Sequence, residues 1–294
     1  MVGVHSDEQI EINKGPTVMK QQERYDAVRA CRWVDEVVED APYFTMLDVL
    51  DKYNCDFCVH GDDITTMADG SDCYQAVKDA GRYKECKRTQ GISTTDLLNR
   101  MLQIKDGSQT LDYLKPSPEY LRYVASILAQ FQPSTEPSLN DTIVYVDGAF
   151  DMFHPGHIEF LKAAKQHGSF LVVGVYGDET VLQTKQSYPI MNVWERSLGV
   201  LSCRFVDSIV RDAPSSPSAS FLDSHKVNLV VDAPLGSPDE RYSAAIQTGR
   251  YLKIVTSQHV STEAIVKRIL DNHALYVERN RRKEAKSQLE AAMK

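Results

Sequence analysis

The sequence lacks a long apolar run, an excess of positive charge and a dense set of cysteines. Its longest apolar stretch, Phe170 to Tyr176, is only seven residues long, whereas a membrane-spanning helix needs about 20. Lys and Arg number 33 against 41 Asp and Glu, so the net charge is −8, which argues against a broad nucleic-acid-binding surface. Six cysteines in 294 residues do not make a disulfide scaffold. With no signal-peptide pattern at its start, the sequence predicts a cytoplasmic protein without an integral membrane segment.

Two widespread catalytic motifs are also missing. The sequence contains no GxxxxGK[ST] loop and no GxSxG turn, which excludes a P-loop NTPase and gives no support to a serine hydrolase. Hydrophobic residues make up 42% and charged residues 25%, values typical of globular proteins. The length is sufficient for two domains.

The chain contains a long internal repeat. Cys31 to Asp35 (CRWVD) returns as Cys203 to Asp207 (CRFVD), 172 positions later, and Gly81 to Tyr83 returns as Gly249 to Tyr251, 168 positions later. A period of this length indicates two copies of one domain rather than a solenoid. We therefore predict four regions: a first domain over 1–104, a proline-containing linker over 105–141, a second domain over 142–275, and a charged tail over 276–294 that forms a solvated helix.

The second copy alternates between strand and helix patterns. Residues 143–146 and 170–176 are short apolar runs typical of buried strands, and residues 156–167 between them have helical spacing. This βαβ pattern predicts a parallel, doubly wound α/β sheet of the Rossmann-like type, which binds ligands at the carboxyl ends of its strands. The first copy begins at the strand equivalent to 170–176, so we expect it to lack the opening strand, loop and helix.

The segment Asp147 to His157 (DGAFDMFHPGH) carries the chemistry. Gly148 after a strand allows a close approach of the backbone to a ligand. The helix that starts near Gly156 directs free N–H groups and the positive end of its dipole at this turn, an arrangement suited to phosphate. His154 and His157 are three positions apart at the helix start, so both imidazoles face the same anion.

This segment resembles the HxGH signature of the cytidylyltransferases, which belong to the nucleotidyltransferase superfamily and have a Rossmann-like fold. The first copy shares further motifs with that family, among them HGDD at 60–63 and RTQGISTT at 88–95. Two tandem copies resemble the ethanolamine-phosphate branch. The resemblance implies transfer of CMP from CTP to phosphoethanolamine, with release of pyrophosphate, in phosphatidylethanolamine synthesis.

The resemblance also implies roles for individual residues of the second copy. His154, His157 and Lys185 would be the catalytic residues, with Lys185 equivalent to Lys14 of the first copy. The nucleotide and its phosphates would be bound by a further set: Gly148, Ala149, Phe150, Asp151, Arg196, Arg204, Asp232, Ser261 and Thr262. Mg²⁺ would accompany CTP with no dedicated protein ligands.

The family further implies that Arg32 to Asp35 and Arg204 to Asp207 pack the two copies into an intramolecular pseudo-dimer, with a homodimer as a further option. Residues alone also allow these segments to be ordinary amphipathic helix faces. Cys55 and Cys58 resemble a CxxC motif, but no second CxxC accompanies them, so we expect buried core thiols in a strand.

Two alternatives stay open. The missing opening unit, together with Asp232-Ala233-Pro234 where the first copy has His60-Gly61-Asp62, fits a truncated, catalytically impaired form that binds CTP or a partner. The second alternative keeps the chemistry and changes the acceptor to phosphocholine or another phosphorylated alcohol, because pocket shape decides specificity.

Overall fold

The protein divides into two compact units. Unit 1 comprises residues 1–25, 36–102 and 268–294, and unit 2 comprises residues 26–35 and 103–267. The boundaries differ from those expected from the repeat, because residues 26–35 belong to unit 2 and the charged tail belongs to unit 1. The computed structural model describes residues 1–62, 72–87, 93–106, 111–132, 136–233, 240–256 and 260–292. The motif residues Asp63, 88–92 and Pro234 lie outside these ranges.

Nine strands and thirteen α-helices are formed by the described residues. The strands are β1 (Val2–Val4), β2 (Val37–Glu39), β3 (Cys58–Gly61), β4 (Tyr83–Cys86), β5 (Ile143–Gly148), β6 (Phe170–Tyr176), β7 (Ser208–Ala213), β8 (Leu229–Asp232) and β9 (Tyr251–Lys253). The helices are α1 (Asp7–Lys14), α2 (Gln21–Arg29), α3 (Leu47–Lys52), α4 (Gln75–Asp79), α5 (Thr94–Asp106), α6 (Pro118–Phe131), α7 (Pro155–Lys165), α8 (Asp178–Lys185), α9 (Val193–Leu201), α10 (Ala219–Ser224), α11 (Ser243–Gln247), α12 (Thr262–Asp271) and α13 (His273–Ala292).

Unit 2 contains a five-stranded, fully parallel sheet. Its strand order is β7-β6-β5-β8-β9. From the central strand β5 the chain adds β6 and β7 on one side, and then crosses back to add β8 and β9 on the other side. The reversal between β5 and β8 is the topological switch point of a doubly wound sheet, where such folds bind their ligands. The prediction of a Rossmann-like α/β fold is confirmed.

Both faces of this sheet are buried, as expected for parallel strands covered by helices. Val144 and Val146 of β5 pack on one face with Leu161 of α7 and Val200 of α9. Tyr145 points to the opposite face, in a second cluster that includes Leu222 of α10 and Val230 of β8. Burial on both faces explains why β5 and β6 read as continuous apolar runs.

Unit 1 contains two separate two-stranded parallel sheets, β1-β2 and β3-β4. By the repeat, β1 and β2 correspond to β6 and β7 of unit 2, and β3 and β4 correspond to β8 and β9. In unit 2 the central strand β5 lies between β6 and β8 and so joins the β6-β7 pair to the β8-β9 pair. Within the described ranges, no strand joins the β1-β2 pair to the β3-β4 pair in unit 1.

Residues 30–34 and 202–206 of unit 2 make a symmetric set of hydrogen bonds. The Arg32 guanidinium donates to the carbonyls of Cys203 and Val206, and the Arg204 guanidinium donates to those of Cys31 and Val34. Arg32 and Trp33 form a turn, so the alternative of an amphipathic helix face does not apply there. Arg204, which was predicted to lie on the helix near the site, follows the end of α9 at Leu201, and its side chain is occupied by backbone carbonyls.

The thiols of Cys55 and Cys58 are partly exposed rather than buried. Cys55 precedes β3, which begins only at Cys58, so the expectation of two core thiols in one strand is wrong. The apolar residues around the cysteines predicted a buried strand, but Phe57 and Val59 are themselves exposed. Among the described residues, no helix combines the length and the apolar character needed to cross a bilayer.

Candidate active site

A cavity of about 250 Å³ opens at the switch point of the unit 2 sheet. It lies between the residues that follow β5 and those that follow β8, where the carboxyl ends of the strands meet. The starts of α7 and α12 complete its wall. Its lining consists of Asp147, Gly148, Ala149, Phe150, His154, Gly156, His157, Phe160, Lys185, Asp232, Ala233, Val260, Ser261, Thr262 and Glu263.

The two imidazoles that were predicted to act together are stacked in this cavity. The ring centroids of His154 and His157 are 3.7 Å apart, with an angle of 20° between the rings. The backbone N–H of His154 donates a hydrogen bond to Nδ1 of His157, with a separation of 3.3 Å between the nitrogens. Because Nδ1 accepts this bond, the proton of the neutral His157 ring is on Nε2.

The surroundings of His157 favour this neutral form. Desolvation lowers the pKa of His157 well below its usual value, and the neighbouring His154 and Lys185 lower it further. A neutral imidazole with a fixed tautomer is a hydrogen-bond donor at physiological pH without a net charge to desolvate. It is suited to stabilise negative charge that develops on a phosphate oxygen.

The backbone between β5 and α7 is held in an uncommon conformation. Phe150 and Met152 have φ values of 50° and 61°, in the left-handed region that non-glycine residues rarely adopt. The turn predicted at Gly148 therefore occurs at these two residues. Gly148 ends β5, and a Cβ there would lie 3.3 Å from the Phe150 ring, so its role is to make room for that ring.

Gly156 is required by close packing at the first turn of α7. A Cβ at this position would lie 2.3 Å from the carbonyl oxygen of Val260 and 3.1 Å from Nδ1 of His154. Any side chain would therefore displace either the histidine or the segment before α12. This contact explains why a glycine separates the two site histidines.

Asp151 lies beneath the cavity rather than in its wall. Its carboxylate accepts hydrogen bonds from the backbone N–H groups of Ile190 and Met191, at 2.7 and 3.0 Å. The Thr262 hydroxyl donates to its carbonyl at 2.9 Å. Asp151 thus connects the β5–α7 turn to the segment before α9 and to the start of α12, although the sequence predicted a nucleotide contact.

The two arginines predicted to bind nucleotide are not brought to the cavity. The Arg196 side chain is fully buried, and its guanidinium donates to the carbonyls of Ala149 and Tyr176 and to Asp178. Arg204 is occupied by the carbonyls of Cys31 and Val34. Arg196 supports the β5–α7 turn from behind, because it holds Ala149.

Lys185 and the start of α12 face the cavity from the other side. Lys185 ends α8, and its Nζ lies 3.4 Å from Oε1 of Glu263. The side chains of Lys185 and Glu263 are 48% and 72% exposed, so this ion pair contributes little to stability. The Ser261 hydroxyl accepts from the backbone N–H of Ala264 at 3.1 Å, so it caps the helix.

A buried carboxylate in the cavity wall was missed by the sequence analysis. Oδ1 of Asp147 accepts hydrogen bonds from the hydroxyls of Tyr176 and Tyr242, both at 2.6 Å. Burial raises the pKa of Asp147 to about 6, against the opposing effect of the two tyrosine hydrogen bonds. Asp232, which was predicted, lines the same side and accepts from the Tyr251 hydroxyl at 3.1 Å. The available signal was an acidic residue at the carboxyl end of a buried strand.

The linker contributes to this region through Tyr113. Its hydroxyl donates to the carbonyl of Pro189 at 2.6 Å, and its own carbonyl accepts from the Asn192 side chain at 2.9 Å. We expect Tyr113→Phe to lower the free energy of unfolding of unit 2 by about 1 kcal/mol, because one partly buried hydrogen bond is lost. Urea unfolding followed by tryptophan fluorescence measures this, since both tryptophans of the chain lie in unit 2.

The matched control is Tyr123→Phe on α6, where the tyrosine is 40% exposed. Surface substitutions of this kind change stability by no more than about 0.5 kcal/mol. Equal losses in the two variants would contradict the anchoring role of Tyr113.

Comparisons with known proteins agree with this geometry. The profile of the Cytidylyltransferase-like family matches residues 1–100 and 145–282. The ethanolamine-phosphate cytidylyltransferase of Dictyostelium discoideum is 45% identical over 97% of this chain and 87% of its own length. That of Mus musculus is 40% identical over 97% of this chain and 82% of its own length. Choline-phosphate cytidylyltransferase 2 of Arabidopsis thaliana is 44% identical, but over only 37% of this chain and 36% of its own length. The chain therefore belongs to the cytidylyltransferase family and, within it, to the ethanolamine-phosphate cytidylyltransferases.

Proposed function

We propose that this protein transfers the cytidylyl group of CTP to phosphoethanolamine in the cavity of unit 2, giving CDP-ethanolamine and pyrophosphate. The observation that carries the proposal is the combination, in the lining of one cavity, of stacked histidines at a helix start with the carboxylates of Asp147 and Asp232. The first group suits phosphates, and the second suits an ammonium group. Ethanolamine-phosphate cytidylyltransferases match nearly the whole chain, which supports this acceptor over phosphocholine.

The phosphate groups would lie between α7 and α12. The positive end of the α7 dipole and the hydroxyl of Ser261 favour anions there. An oxygen of the phosphoethanolamine phosphate attacks the α-phosphorus of CTP, the bond to the β-phosphate bridging oxygen breaks, and pyrophosphate leaves. Nε2–H of His157 would donate to the oxygens on which charge increases. Lys185 would release Glu263 and neutralise the leaving pyrophosphate.

No strong base is required of the protein. The attacking phosphate oxygen is already ionised at neutral pH, so the site works by orientation and charge stabilisation. The left-handed residues Phe150 and Met152 support this reading, because rigid turns of this kind hold reacting groups in place.

The acceptor's ammonium group would be recognised by Asp147 and Asp232. Both carboxylates line the cavity, and an alkylammonium is the one positively charged group of phosphoethanolamine. Asp147 is held by Tyr176 and Tyr242, so its carboxylate is already oriented before the substrate arrives. A charged hydrogen bond to a buried carboxylate contributes about 1.5–3 kcal/mol.

Mg²⁺ is proposed to arrive with CTP. No group of three or more His, Cys, Asp and Glu side chains suited to a metal ion occurs among the described residues. Mg²⁺ is commonly held by substrate phosphates, waters and one or two carboxylates, and Glu263 beside the proposed phosphate position fits that mode. When bound, the ion would offset the charge of the triphosphate.

We further propose that the enzyme acts in the cytoplasm, and that the two copies of the repeat form an intramolecular pseudo-dimer. The reciprocal hydrogen bonds of Arg32 and Arg204, which occupy equivalent positions of the repeat, support the second proposal.

We expect Asp147→Asn to raise the KM for phosphoethanolamine by about 10- to 100-fold, because a neutral amide cannot compensate an ammonium charge. The KM for CTP should stay within about twofold in the same variant. Steady-state rates of pyrophosphate release at varied concentrations of each substrate separate the two constants.

The pH dependence gives a second measurement on the same residue. Since the pKa of Asp147 is raised to about 6, the carboxyl becomes protonated as the pH falls below 6, and the wild-type KM for phosphoethanolamine should rise there. Ionisation of the substrate phosphate affects the wild type and Asp147→Asn equally. Only the wild type should therefore show the additional rise in the KM for phosphoethanolamine. Asp223→Asn, at a surface carboxylate paired with Arg250, is the control. An unchanged KM in Asp147→Asn would disprove ammonium recognition by this residue.

The acceptor itself is tested by competition. With CTP and equal concentrations of phosphoethanolamine, phosphocholine and glycerol phosphate, we expect CDP-ethanolamine as the main product, identified by mass spectrometry. CDP-choline as the main product would assign the enzyme to a different acceptor. No CDP product with any of the three would refute the proposed reaction.

A further inference from the structure

Two cysteines at equivalent positions of the repeat face each other in unit 2. Cys31 and Cys203 form an antiparallel bridge. It is flanked by two backbone hydrogen bonds of 2.8 Å, from the N–H of Arg32 to the carbonyl of Ser202 and from the N–H of Arg204 to the carbonyl of Ala30. Because the backbone hydrogen bonds are made by the residues on either side of the cysteines, Cys31 and Cys203 form a non-hydrogen-bonded pair of the antiparallel bridge.

This kind of pair has the geometry of a disulfide. Directly opposed residues at a non-hydrogen-bonded position have Cα atoms about 4.5 Å apart and side chains on the same side. Disulfides require Cα atoms about 4.4–6.8 Å apart. The guanidinium groups of Arg32 and Arg204 bind the carbonyls of Cys203 and Cys31, each at 3.1 Å, so the pairing is held from both sides. The backbone pairing therefore places the two cysteines at a position that suits a disulfide.

We propose that Cys31 and Cys203 form an intrachain disulfide when the protein meets a low-molecular-weight disulfide such as oxidised glutathione. Both residues are free thiols in the structure, and they differ in accessibility. Cys31 is partly exposed, whereas Cys203 is 1% exposed and packs in the core of unit 2. The exposed thiol is therefore the entry point for the oxidant, and the buried thiol completes the bond.

The reaction balances as two exchange steps. The Cys31 thiolate attacks oxidised glutathione, whose S–S bond breaks, and one glutathione leaves as a mixed disulfide forms on Cys31. The Cys203 thiolate then attacks the Cys31 sulfur, displaces the second glutathione and closes the intrachain bond. The two protein thiols lose two electrons, glutathione disulfide gains them, and the protons of the thiols end on the two released glutathione molecules.

The second step should be slow at neutral pH and faster in alkali. Burial raises the pKa of the Cys203 thiol to about 11, with a further contribution from the nearby Cys31 thiol. The reactive thiolate is therefore a small fraction of Cys203 at neutral pH, and that fraction increases as the pH rises. The bond, once formed, ties residue 31 to residue 203 and restricts the unfolded chain.

The test maps the bond in the native protein. The full chain is treated with oxidised glutathione, the remaining thiols are blocked with iodoacetamide, and trypsin digestion is performed without reduction. We expect the peptide of residues 30–32 to be linked to that of residues 197–204, with a mass two hydrogens below the sum of the free peptides. Prior reduction should abolish the linked species, and a higher pH during oxidation should increase its rate of formation.

Variants exclude chance pairing. Cys31→Ser and Cys203→Ser should each abolish the linked peptide, whereas replacement of Cys55 and Cys58 by serine should leave it unchanged. If natively folded wild-type protein carries glutathione on Cys31 at high pH but never yields the linked peptide, the proposal is refuted. Preferential pairing of Cys31 with another cysteine would refute it as well.

Discussion

Replacing His157 with alanine is expected to lower kcat by about 10²- to 10⁴-fold, with much smaller changes in the KM for either substrate. In the proposed mechanism, the Nε2–H group of His157 donates to oxygens whose negative charge is greater in the transition state than in bound CTP, so its loss should affect the chemical step more than binding. The structure fixes this proton on Nε2 because Nδ1 accepts from the backbone N–H of His154.

Pyrophosphate release under saturating CTP and phosphoethanolamine measures the effect. His157→Gln places an amide N–H near the Nε2 position and should recover part of the lost rate. His167→Ala, at an exposed histidine just after α7, is the matched control and should keep wild-type kcat. A His157→Ala enzyme with wild-type kcat would remove the histidine pair from the mechanism, whatever the structural similarity to cytidylyltransferases.

The pH dependence of kcat provides a further test of the protonation state of His157. Since the pKa of His157 is lowered, its neutral form persists below the usual histidine range near pH 6.5. We expect the kcat of the wild type to show no loss attributable to His157 protonation between pH 8 and about 6.5. A titration of kcat centred near 6.5 that disappears in His157→Gln would contradict this assignment.

Where a short motif sets the geometry, the sequence predicted which residues line the cavity. His154, Gly156 and His157 are fixed relative to each other by one turn of α7, so their spacing alone places both rings together. Ser261 and Thr262, which also line the cavity, stand 168 positions after Ser93 and Thr94 of the RTQGISTT motif. In contrast, Asp147 begins the same segment, but its residue type and spacing alone assign it no role. Its buried environment depends on Tyr242, which is 95 positions away in sequence.

The predictions for charged residues were weakest for a related physical reason. Arginine near a phosphate site is expected to bind phosphate, but Arg196 meets carbonyls of three separate segments, which only the folded chain brings together. Residues 26–35 belong to the first copy in sequence and to unit 2 in space. Their backbone pairs with residues 202–206, and a pairing over 172 positions leaves no local pattern to read.

The second large effect is expected at Arg196. Its guanidinium donates to the carbonyls of Met191, Ala149 and Tyr176 and to the carboxylate of Asp178, at 2.6–2.9 Å. We expect Arg196→Met to lower the free energy of unfolding of unit 2 by about 3–5 kcal/mol, because it leaves a mostly buried carboxylate without its partner. The three carbonyls would also lose their donors.

Urea unfolding followed by tryptophan fluorescence measures this loss, with Arg122→Met as control. Arg122 pairs with Glu119 on α6, and both side chains are 74% exposed, so its removal should change stability by less than about 1 kcal/mol.

The double variant Arg196→Met with Asp178→Asn separates the effect of the unpaired carboxylate from that of the carbonyls that lose their donor. If the unpaired carboxylate dominates, the double variant should be more stable than Arg196→Met alone, giving a coupling energy of about 1–3 kcal/mol. Without such coupling, the loss must come from the three carbonyls that lose their donor, among them that of Ala149 in the β5–α7 turn, and kcat should then fall in both Arg196 variants. A loss no greater than that of Arg122→Met would show that Arg196 does not stabilise the turn.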